Sequence, residues 1–100
     1  MTIKKVVAYL NKKYPELDII YRPEEGGTGY IIHEGSLVTI PKDPNDPDDY
    51  EVKTRAVDYY REYSSILDDF GMYLPISQYL EKHGFYWEWI NPGMAVICEA

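Results

Sequence analysis

Carboxylates are the groups in this chain whose number and spacing could do chemistry. Seventeen Asp and Glu residues stand against ten Lys and Arg residues, a formal charge of −7. Nine of the seventeen lie between residues 43 and 69, where the cations are Lys53, Arg55 and Arg61, so nine less three leaves −6 in that stretch. The same stretch carries Tyr50, Tyr59, Tyr60 and Tyr63. Carboxylates fixed beside tyrosines can pair with Lys and Arg side chains arranged to grip a phosphate backbone. The chemistry implied is recognition of a basic protein groove, in the manner of a nucleic-acid mimic.

Spacing suggests which element holds these groups. Val52, Ala56, Tyr59, Tyr60, Tyr63, Leu67 and Phe70 recur at helical intervals. Asp46-Pro47-Asp48-Asp49 offers a capping acid, a proline for the first helical position and negative charge for the first turn. The pattern predicts one long helix over Asp48–Asp69, with Ser64-Ser65 as its weak point. On a wheel, Glu51, Asp58, Glu62 and Asp69 fall within about 40° of one another, with axial gaps of about 10, 6 and 10 Å. Asp46, Asp48 and Asp49 extend that row, and Tyr59 lies beside it. These eight residues are the expected partner-binding set. The competing explanation is an ordinary solvated face, and Arg55 and Arg61 interrupt the field.

The remaining elements read as follows. Ile3, Val6, Val7, Leu10 and Tyr14 form a helical stripe that starts at Thr2 and stops at Tyr14-Pro15. Its lysines, Lys4, Lys5, Lys12 and Lys13, make the chain dipolar. Residues 17–22, 29–33 and 36–40 read as strands of an antiparallel meander. Pro75–His83 reads as a short helix stopped by Gly84. Phe85–Ile90 and Met94–Glu99 read as a hairpin turned by Asn91-Pro92-Gly93. Pairing Asn91 with Met94 would set Trp89 against Val96 and Trp87 against Cys98, with Met94–Glu99 free to lie at a sheet edge. The expected architecture is α+β, in the order αβββ-αα-ββ: an antiparallel sheet of up to five strands with helices packed on it, forming one domain over residues 1–100.

Other chemistries have weaker support. Asp43–Asp49 has aspartates enough to suggest calcium, but no glycine for the sharp bend, and prolines stiffen it. Gly26-Gly27-Thr28-Gly29 lacks the lysine and following helix of a phosphate loop. His33, Glu34 and Glu88 are the residues an enzyme would use, and His83 suits a helix C-terminus. Cys98 sits in an apolar strand, where an inert thiol is the expected state. Phe85, Trp87 and Trp89 share a face that reads as core. No catalytic, metal or cofactor residue is expected.

Charge and cysteine usage narrow the function. A pI near 4.7 argues against direct binding to duplex nucleic acid or an anionic membrane. One cysteine excludes an internal disulfide and fits a reducing cytoplasm, and no leader or membrane span is read. The opening αβββα order resembles double-stranded-RNA-binding domains, but the basic loop of that family is missing and the matching helix is acidic. In size, charge and residue content the chain resembles the small acidic accessory proteins of phages and mobile elements. Many of those block host restriction enzymes, CRISPR nucleases or uracil-DNA glycosylase. That resemblance implies a non-enzymatic inhibitor whose partner is a basic surface on a host nuclease or other nucleic-acid enzyme, acting in the host cytoplasm. The alternative is an assembly module that homodimerises through tyrosines and a sheet edge.

Overall fold

The computed structural model describes residues 1–60 and 66–100. Helix α1 (Ile3–Lys13) opens at Thr2, whose Oγ1 accepts the Lys5 N–H at 3.4 Å. Val6, Val7 and Leu10 are its buried stripe, and the helix ends at Tyr14. Helix α2 (Leu74–Lys82) carries Pro75 in its first turn and buries Ile76 and Leu80. Both follow the sequence reading: in α1 the apolar stripe, the Thr2 cap and the terminating Pro15 agree, and in α2 the apolar stripe, Pro75 and the stop at Gly84 agree.

Among the described residues six strands build two antiparallel sheets: β1 (Ile20–Tyr21), β2 (Tyr30–His33), β3 (Leu37–Ile40), β4 (Val52–Arg55), β5 (Phe85–Asn91) and β6 (Met94–Glu99). The larger sheet has the order β1-β2-β6-β5, and β3 pairs with β4 in the smaller. The fold is α+β, with antiparallel pairing throughout. The meander stops at β2, because β3 leaves for β4 and β6 takes the place beside β2. β6 is therefore interior, and the edges of this sheet are β1 and β5. Ile32 and Ile97, from the two interior strands, pack with Val6, Leu10, Ile76 and Leu80 in the main core.

The long helix expected over Asp48–Asp69 does not form. Val52–Arg55 instead pairs with Leu37–Ile40, in the register Ile40 with Val52 and Leu37 with Arg55. Val52 and Thr54 are β-branched and suit a strand, and the ladder overrides a helical spacing that was coincidental. Between β4 and α2 the described chain makes isolated bridges rather than helix. Val57 bridges Met72 and Leu67 bridges Tyr73, so the chain turns back through residues 68–71. The supposed break at Ser64-Ser65 lies outside the described residues.

The final hairpin also departs in register. Asn91 does pair with Met94, but a bulge between Trp89 and Asn91 sets Trp89 against Ala95, Trp87 against Ile97 and Tyr86 against Cys98. One extra residue on β5 shifts every later pair by one. Phe85, Trp87 and Trp89 still share a face and pack against the main core. Among the described residues no helix is long and apolar enough to cross a membrane.

Candidate protein-binding surface

The described acidic residues between positions 43 and 69 divide among three settings. The first is the connection between β3 and β4. All of residues 41–51 are exposed, and they hold Asp43, Asp46, Asp48, Asp49 and Glu51 against Lys42. The loop is shaped by its own carboxylates. Asp49 Oδ2 accepts the Asp43 N–H at 2.7 Å, Asp43 Oδ1 the Asn45 N–H at 2.9 Å, and Asp46 Oδ1 the Asp48 N–H at 3.0 Å. These are the local side-chain-to-backbone turns that aspartate favours over helix. They also explain why the capping signal at Asp46-Pro47 starts no helix. Asp48 and Glu51 accept none of these bonds, so their charge faces water. Tyr50, 71% exposed, stands at the end of the loop.

The second setting follows β4. Asp58 donates its backbone N–H to the Gly71 carbonyl, and its Oδ1 accepts the Tyr60 N–H at 3.1 Å. Tyr59 lies edge-on to both Tyr60 and Trp89, with ring centroids 5.4 Å apart in each case. Tyr59 is 47% exposed and Tyr60 77%.

The third is the turn at residues 68–71. Asp68 Oδ1 accepts the N–H groups of Phe70, Gly71 and Met72 at 2.8, 2.8 and 3.0 Å, and Oδ2 accepts the Trp87 indole N–H at 3.0 Å. Burial pushes this carboxyl's pKa up. Hydrogen bonds from Met72, Ser77, Phe70 and Trp87 outweigh that and hold it below its ordinary value. The Trp89 indole N–H donates to the Phe70 carbonyl at 2.8 Å. Gly71 sits at φ 107°, and a Cβ there would collide with the Asp58 carbonyl, so only glycine fits. The turn is thus pinned from inside and from β5, while its tip residues Asp69 and Phe70 are exposed, Phe70 by 71%.

The expected partner-binding set is therefore not one row. Asp46, Asp48, Asp49 and Glu51 share the loop, Asp58 and Tyr59 follow β4, Asp69 tips the turn, and Glu62 lies outside the described residues. Without the helix, Glu51, Asp58 and Asp69 stand on three different segments rather than on one helical face. Sequence reasoning missed Asp68. Its signal was Asp-x-x-Gly, an aspartate three residues before a glycine, which is also an Asx-turn pattern.

The residues weighed for other chemistry have structural partners. His33 Nε2 donates to the Asp18 carbonyl at 2.9 Å, and its Nδ1 accepts the Gly35 N–H at 3.1 Å. His83 caps α2, with its N–H on the Leu80 carbonyl. Gly27 packs against β6 beside Ile97, and the adjacent Thr28 donates both N–H and hydroxyl to the Ile97 carbonyl. Burial first, and Glu88 second, push the Cys98 thiol up, which keeps it protonated and poorly nucleophilic. Among the described residues no group of three or more His, Cys, Asp or Glu is placed to hold a metal ion.

No family model matches this chain, and no curated protein or solved structure matches it either.

Proposed function

We propose that the chain is a non-enzymatic binding protein that presents acidic surface to a basic groove on a partner protein. The partner class that fits is a host nuclease or other nucleic-acid enzyme, whose groove is lined for phosphate. The observation that carries this reading is the β3–β4 connection, where five exposed carboxylates stand beside one lysine. The mimicry runs through a loop held on a two-stranded ladder rather than through a helix. Electrostatic complementarity of this kind speeds encounter and selects partners, and salt weakens it.

The test is a capture experiment from bacterial lysate at low and high salt, run in parallel with the Asp48→Lys/Glu51→Lys variant. The variant reverses charge without touching the hydrogen bonds that shape the loop. The expected result is a nucleic-acid enzyme retained by the native chain at low salt, released at high salt and not retained by the variant. Equal retention by both would refute the reading.

A second reading has one observation behind it. Among the described residues the seven-residue strand Phe85–Asn91 ends the larger sheet, with β6 as its one hydrogen-bonded neighbour there. Strand-edge pairing between two copies would give a homodimer. Sedimentation that stays monomeric at high micromolar concentration would exclude it.

A further inference from the structure

A groove of about 580 Å³ opens between the 68–71 turn, α2 and β5. Its aromatic lining comes from Phe70, Phe85, Tyr86 and Trp87, and Asp69 and Glu81 are at its walls. Asp68 also lines it, held ionised by its hydrogen bonds, while among the described residues no lysine, arginine or histidine does. The volume lies in the range of small-molecule and side-chain pockets. Carboxylates around aromatic rings favour a cation that can also lie flat against a ring.

We propose that this groove receives an arginine side chain of the basic partner. The guanidinium is planar, stacks on aromatic faces and donates in a fork that matches a carboxylate. A lysine ammonium is a compact, strongly hydrated point charge and uses the aromatic lining less well. Asp69 and Glu81 are both exposed, so either can meet a guanidinium without moving core. The wall that carries Asp69 and Phe70 is fixed in advance by Asp68, by the Trp87 and Trp89 indoles and by Gly71. Little ordering cost therefore falls on binding. This inference rests on the proposed reading of a basic protein partner and adds a second contact apart from the acidic loop.

The experiment is an NMR titration of the full chain with the blocked peptide acetyl-Gly-Arg-Gly-Arg-Gly-amide. Its controls carry lysine or uncharged citrulline in place of arginine. The Trp87 indole N–H reports on the groove, and the amides of Asp46, Asp48 and Asp49 report on the loop. The expected result is a saturable Trp87 shift with the arginine peptide, several-fold weaker with lysine and absent with citrulline. The Asp69→Asn/Glu81→Gln variant should weaken it about ten-fold. The Asp48→Lys/Glu51→Lys variant should leave the Trp87 response in place. Loop shifts without a Trp87 shift would overturn the groove while sparing the acidic-surface reading. A Trp87 shift without loop shifts would support the groove and count against the loop. A Trp87 response equal in the Asp69→Asn/Glu81→Gln variant would also overturn the groove.

Discussion

Asp68 shows how one carboxylate can do structural work while its neighbours stay free for a partner. It accepts three backbone N–H groups of its own turn and one indole N–H from β5. Replacing Asp68 with Ala leaves those donors without an acceptor and should cost about 2–3 kcal/mol in urea denaturation. The pH dependence has a definite sign. The folded carboxyl titrates below its ordinary value, so the unfolded chain binds its proton first as pH falls. This stabilisation is complete above the unfolded pKa, about 4, and is lost as pH drops through the lower folded value. The difference in stability between native protein and Asp68→Ala should therefore be constant near neutrality and shrink in acid. A difference that grew as pH fell would contradict the assignment. The residue types of this site were visible in the sequence; the division of labour among them was not. Asp68 and Asp69 are adjacent and chemically alike, and only the fold points one into a turn and the other into solvent.

Helix α1 and the segment after β3 show what spacing can and cannot decide. In α1, cap, stripe and terminating proline agree, so the element was legible. Over residues 48–69 the apolar spacing and the Asp-Pro start spoke for a helix. Val52–Arg55 found a strand partner across an eleven-residue connection instead. Such non-local pairing leaves little trace in local periodicity. The bulge that re-registers β5 was invisible for the same reason, since nothing in Trp89-Ile90-Asn91 requires it. The turn that ends this region depends on Gly71. Gly71→Ala should cost on the order of 3 kcal/mol, from backbone strain and collision with the Asp58 carbonyl. It should also shift the Trp89 indole N–H resonance as its bond to Phe70 loosens. An unchanged denaturation midpoint would contradict the geometry described for this turn.

Charge is unevenly distributed along the chain. The lysines of α1, Lys4, Lys5, Lys12 and Lys13, are exposed, while the β3–β4 connection is densely acidic and fully exposed. A net charge of −7 disfavours self-association and favours encounter with a basic surface. In the proposed function two acidic features would act together: a loop that would supply field, and an aromatic groove that would supply a specific grip. The first was legible from composition alone. The second needed the fold, because α2, β5 and the 68–71 turn come together only in three dimensions. The measurement that tests the central claim most directly is the affinity of the purified chain for the basic protein it captures. It should be followed across ionic strength for the native protein and for Asp48→Lys/Glu51→Lys. Affinity should fall steeply with salt, and the variant should bind at least about ten-fold more weakly at an unchanged Tm. The same affinity and the same salt dependence in both proteins would contradict it.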